Sequence, residues 1–143
     1  MTVLEVRDLR VGFHGGRVPA VRGVDFSLKR EEVLGIVGES GCGKSATALA
    51  LMGLLPPGTK IGGSVRLHGR ELIGRTDAEL AAVRGRDIAM IFQDPAAALS
   101  PVRPVGDQIA ETIRVHQGLR RAAARARAVE LLDLVGVPDP ARR

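Results

Sequence analysis

The sequence has no tryptophan and no tyrosine, and its only aromatic residues are Phe13, Phe26 and Phe92. A core built from it must be aliphatic, and its basic residues have no rings among them on which single-stranded bases would stack. Cys42 is the single cysteine, which excludes an internal disulfide. His14, His68 and His116 are far apart and show no metal-ligand spacing. No apolar run approaches the ~18 residues of a membrane span. Met1 runs directly into strand-like sequence, so no signal peptide is expected.

What is present is the composition of an ordinary globular chain: 143 residues, 45% hydrophobic and 26% charged. That length suits one domain with a real core. The formal charge is +5, carried mostly by arginine. A basic balance raises nucleic acid or an anionic membrane as partners, but the arginines are dispersed. The one cluster, Arg120, Arg121, Arg125 and Arg127, reads as a solvated helix face. No nucleic-acid partner is expected.

The chain is organised around residues 33–52, VLGIVGESGCGKSATALALM. The apolar run 33–37 predicts a short buried strand, and the Ala/Leu/Met-rich stretch after Ser45 predicts a buried helix. Between them Gly38, Glu39, Ser40, Gly41, Cys42, Gly43, Lys44 and Ser45 match G-x-x-x-x-G-K-[ST], the phosphate-binding P-loop, in its strand-loop-helix context. Each residue type has a physical task. Glycines permit backbone angles that turn successive N–H groups inward around a phosphate. The helix start, through Ser45 and Ala46, adds free amides and a positive dipole end. Lys44 suits the β- and γ-phosphates and the Ser45 hydroxyl suits Mg²⁺. Random placement of this composition would give the pattern in roughly three chains per thousand. Cys42 is needed there only for its backbone and reads as a small filler.

Around this stretch, residues 3–13 and 18–28 predict an antiparallel ribbon turning at His14, Gly15 and Gly16. Phe13, at the ribbon's end, suits packing, with base stacking as the alternative. Pro56, Pro57 and Gly58 are expected to stop the helix after the P-loop. Residues 65–68 predict a short strand, and Thr76 with Glu79 a capping box. The apolar run 88–92 predicts a second buried strand. It emerges at Gln93, a capping residue on its own terms but also at the place where ligands meet an α/β sheet. Residues 104–117 predict a helix with Val105, Ile109 and Ile113 on one face. Residues 119–135 predict another, with Ala122, Ala126, Val129 and Leu132 together. Residues 139–143 read as linker.

These residues resemble the N-terminal part of the ATP-binding subunits of ABC transporters, within them the oligopeptide, dipeptide and nickel importer branch. Beyond the P-loop, the resemblance rests on Ile91, Phe92, Gln93, Asp94 and Pro95, then Leu99, Pro101, Val105, Gly106, Gln108, Ile109 and Glu111, and on the stretch VELLDLVGVPDP at 129–140. Ser100 stands where the family commonly has asparagine, and residues 96–98 replace a more polar run. The resemblance implies an α/β fold: a P-loop NTPase core of the ABC type with an N-terminal antiparallel β ribbon and the start of a helical subdomain. It covers residues 1–143 as the N-terminal part of one nucleotide-binding domain. It implies ATP and Mg²⁺ as cofactors. Residues 38–45 would cradle the triphosphate, Ser45 and Gln93 would approach Mg²⁺, and Phe13 falls near the family's base-stacking aromatic. It also implies permease subunits and a second ATP-binding subunit as partners, at the cytoplasmic face of the plasma membrane. The work would be ATP-powered import of peptides or a similar solute.

The family's signature motif, Walker B aspartate, catalytic glutamate and switch histidine find no counterpart in residues 1–143, and hydrolysis needs groups of those kinds. The chain is therefore expected to be a truncated piece, marginally folded and inactive as a hydrolase on its own. The alternatives are a non-catalytic nucleotide-binding fragment, or another P-loop enzyme such as a small-molecule kinase. A GTPase would want N-K-x-D, which is absent.

Overall fold

The structure, a computed structural model, describes residues 1–94 and 98–143. Pro95, Ala96 and Ala97, part of the run quoted after Gln93, lie outside the described residues. The chain divides into two compact units, Met1–Ala89 and Met90–Arg143.

In the first unit, β1 (Thr2–Phe13) and β2 (Val18–Lys29) form the expected antiparallel ribbon around a 3-10 turn, His14–Gly16. β3 (Lys60–Leu67) pairs antiparallel with the other edge of β1, and the short β4 (Arg70–Glu71) closes the sheet in the order β2-β1-β3-β4. β3 begins five residues before the expected strand, because Ile61 and Gly62 already pair with Val11 and Arg10. Alternation puts Leu4, Val6, Leu9 and Val11 inward from β1. The gap of three between Val6 and Leu9 is a bulge. The register slips there, and the Asp8 amide donates to the side-chain carboxylate of Asp25 on β2 at 3.0 Å instead of to a main-chain carbonyl. Val65 and Leu67 of β3 complete that face.

The helix α1 (Lys44–Met52) lays Ala46 and Ala50 on this core, while Leu49 and Leu51 are only half-buried. It ends at Gly53, not at the Pro-Pro-Gly sequence. Gly53 adopts a left-handed φ of 62°, which lets its N–H return to the Ala50 carbonyl at 3.1 Å. The Arg84 guanidinium then donates to the Met52 and Gly53 carbonyls at 2.7 and 2.8 Å, satisfying the open end of the helix. The capping box forms as expected at the start of α2 (Asp77–Ala81), with Thr76 and Glu79 bonded reciprocally.

The two apolar runs expected as buried strands, 33–37 and 88–92, are not strands. Val33 and Val37 are each 96% exposed and Ile91 94%. A strand exists only as a rung of a ladder, and among the described residues no strand lies beside either run. Of the two runs only Ile88 packs, half-buried, on the core, and its amide donates to the Val83 carbonyl at 3.3 Å.

The second unit is a helical hairpin of α3 (Val105–Gln117) and α4 (Arg121–Leu134). Ala110 and Ile113 meet Ala124 and Ala128, whose small side chains let the helices approach closely. The buried stripe of α4 is Ala124, Ala128 and Leu132, so Ala122 and Ala126, expected inside, are exposed. The Gln108 amide fastens the preceding loop, accepting from the Ser100 N–H at 2.8 Å and donating to the Arg103 carbonyl at 2.9 Å. Residues 139–143 are not linker-like. They include a 3-10 turn, Pro140–Arg142, and the Arg143 carbonyl accepts from the Gly106 amide at 3.1 Å.

Candidate functional site

The loop of residues 38–43 leads into α1, which begins at Lys44 as the motif requires. Two glycines shape its second half. Gly43 is the N-cap residue at φ 99° and Gly41 lies at φ 81°, both in the left-handed region that side chains disfavour. At Gly43 there is no room either: a Cβ would lie 2.4 Å from the Ala20 carbonyl oxygen of β2. The loop is thus seated directly on the ribbon. Glycine at 43 lets the chain turn there and lets α1 start where it does.

The helix start carries no side-chain cap and no acidic residue in its first turn. The first intrahelical bond is donated by Thr47 to the Gly43 carbonyl at 2.8 Å. The amides of Lys44, Ser45 and Ala46 therefore lie in the turn where a helix supplies no acceptors of its own. The Lys44 side chain folds back over the loop and donates its ammonium to the Gly38 and Glu39 carbonyls, both at 2.7 Å. A third contact, to Cys42 Sγ, is 3.5 Å long. One cation thus ties the start of the loop to the start of the helix. It holds a positive charge beside the open first turn of α1, an arrangement suited to a polyanion.

A cavity of about 680 Å³ adjoins the loop. Gly41, Cys42, Gly43, Lys44 and Thr47 form its polar end, and Leu34, Ile36, Val24 and Phe26 form an apolar wall. Arg22 and Asp25 of β2 also line it. Sequence reasoning singled out none of these β2 residues, although the alternation of Val24 and Phe26 places them on one face. Thr47, buried at 6% exposure and likewise unanticipated, carries the only signal available for it, its position three residues after the motif lysine.

The other expected site residues lie as follows. Glu39, Ser40 and Ser45 are exposed along the loop and the first helical turn, and Ala46 is buried beneath them. Phe13 is half-buried, pairs with Val18 across the ribbon and packs on the sheet core. It is not among the described residues lining the cavity. Gln93 is exposed and belongs to the second unit, whereas Ser45 belongs to the first.

A family model described as ABC transporter matches residues 21–143. Over 99% of its length the chain is 54% identical to the oligopeptide transport ATP-binding protein OppD of Mycobacterium tuberculosis. Over the same share it is 48% identical to OppD and to the dipeptide transport ATP-binding protein DppD of Bacillus subtilis. It spans 24% of the mycobacterial protein and 40% and 43% of the two Bacillus proteins.

Proposed function

The chain belongs to the ABC transporter family, and on that premise we propose that residues 38–46 hold the triphosphate of ATP with Mg²⁺. The observation that carries this is the Lys44 ammonium lying over Gly38 and Glu39 at the uncapped start of α1. Phosphate oxygens compete well for a charged donor and for amides without acceptors. The residues present fit the nucleotide: amides of the loop and first helical turn for the phosphates, Lys44 for their charge, and the exposed Ser45 hydroxyl for the metal. Mg²⁺ bound there would neutralise phosphate charge. Among the described residues no group of three His, Cys, Asp or Glu gathers to hold a metal. Ser45 would hold the ion together with phosphate oxygens and water, as Mg²⁺ prefers. Phe13 is proposed only as a neighbour of the base.

The wider role follows from the relatives, which are named as oligopeptide and dipeptide transport ATP-binding proteins. The proposal is that the complete protein powers import of a peptide-like solute, docked on permease subunits at the cytoplasmic face of the membrane and working with a second ATP-binding subunit. Among the described residues no helix is long and apolar enough to cross a membrane. Hydrolysis is assigned to the complete protein as well, since residues 1–143 supply no group to orient water.

Calorimetric titration of the chain with MgATP and MgGTP tests the reading. Binding of MgATP with GTP at least equally weak or weaker is the expected result. Tight selectivity for GTP would contradict it.

A further inference from the structure

The arginines read from sequence as a solvated helix face do not all behave as one. On the hairpin, Arg103, Arg114, Arg121 and Arg125 converge with Asp107 and Glu111 on a cavity of about 350 Å³. Each carboxylate is already taken by one guanidinium: Arg103 pairs with Glu111 at 2.7 Å and Arg125 with Asp107 at 2.8 Å. Four cations and two anions leave two positive charges in the cleft. The side chains that carry them, Arg114 and Arg121, make no ion pair and no hydrogen bond among the described residues. Arg127, from the same sequence cluster, is neutralised separately by Glu130 at 2.8 Å.

The backbone adds to this potential. α4 opens on Arg120 and Arg121, with no side-chain cap and no acidic residue in its first turn. Cations at the positive end of a helix dipole are the reverse of the favourable arrangement, which places acids there. Two unpaired guanidiniums, an uncapped helix start and a concave surface combine on one face of the hairpin. Guanidinium forks match the oxygens of tetrahedral oxyanions in pairs, and a dianion would neutralise the cleft.

We propose that this cleft between α3 and α4 is a binding site for a phosphate group, held by Arg114 and Arg121 between the two ion pairs. The group's source is either free phosphate or a phosphate-bearing lipid headgroup. The proposal stands on the second unit alone and does not rest on the nucleotide reading.

The test is site-resolved, because phosphate bound at the P-loop would move different signals. The arginine Nε–Hε resonances of the chain are followed by NMR during titration with inorganic phosphate at constant ionic strength, with chloride as the control. Saturable shifts of Arg114 and Arg121 with phosphate are expected, together with shifts of the neighbouring Arg103 and Arg125 that are lost in the Arg114→Gln/Arg121→Gln double variant. Shifts that rise without saturation, or that match those in chloride, would overturn the proposal. A parallel arm measures co-sedimentation with phosphatidylglycerol and phosphatidylcholine vesicles. Retention on the anionic vesicles that is lost in the double variant assigns the site to a headgroup, and saturable shifts without retention assign it to free phosphate. Saturation by an oligoglutamate peptide with no response to phosphate or vesicles would replace the phosphate site with a peptide site and refute it.

Discussion

Gly43 meets the main chain of Ala20 so closely that a Cβ at position 43 would lie 2.4 Å from the Ala20 carbonyl oxygen. This one contact seats the loop on the ribbon, and it separates two glycines that look equivalent in the motif. Gly41 shares the left-handed backbone but has open space around its Cα. Gly41→Ala should therefore cost only the backbone strain, ~1–2 kcal/mol. Gly43→Ala adds an overpacking cost of about 1–3 kcal/mol, and displaces the start of α1. Urea denaturation of the two variants should show Gly43→Ala to be the more destabilised. Equal losses would mean that the seat on Ala20 is not a real constraint.

The apolar runs give a second expectation. Val37 is 96% exposed, whereas Leu9 is wholly buried. Val37→Lys should change the stability of this chain by no more than about 0.5 kcal/mol. Leu9→Ala should cost roughly 2–5 kcal/mol. A large loss on Val37→Lys, read from the denaturation midpoint, would show that residues 33–37 are buried after all.

Those same residues show how far the sequence could be read. The P-loop was legible because its chemistry is local: glycine spacing, a lysine and a helix start lie within eight consecutive residues. The ribbon was legible from its loose alternation, whereas its bulge at Asp8 was not, since the register slip is a relation to β2. Strand status for residues 33–37 and 88–92 was not legible, because a strand is a relation to a partner and apolar content cannot supply one. The α4 stripe was misread for a different reason. Ala122, Ala124, Ala126 and Ala128 recur at every second position, so composition offers two candidate faces, and only packing against Ala110 and Ile113 selects Ala124 and Ala128. Arg84 as the clamp on the end of α1 had no sequence signal, since its partners are carbonyls more than thirty positions away.

Acid should weaken the sheet edge through Glu71. Partial burial alone would raise the pKa of this carboxyl. The opposing bonds win: Ser64 Oγ donates to it, as do the Val65 and Ile73 amides at 2.8 and 3.1 Å, and the pKa is held below the ordinary glutamate value. A folded-state pKa below the unfolded one gives stability that is present above the unfolded value. That stability is lost as pH falls through the folded value. Thermal melts from neutral pH downward should show a decline beginning near the ordinary glutamate pKa, and Glu71→Gln should flatten that part of the profile. An unchanged profile in the variant would remove Glu71 as its source.

The most direct test of the account is calorimetric titration of the chain with MgATP beside its Lys44→Ala variant, with circular dichroism confirming that both are folded. Removing the ammonium that bridges Gly38, Glu39 and the start of α1 should weaken binding by at least about tenfold. A charged hydrogen bond to phosphate of ~1.5–3 kcal/mol corresponds to that loss or more. Equal affinity in the two proteins would contradict the claim that this loop holds the nucleotide's phosphates.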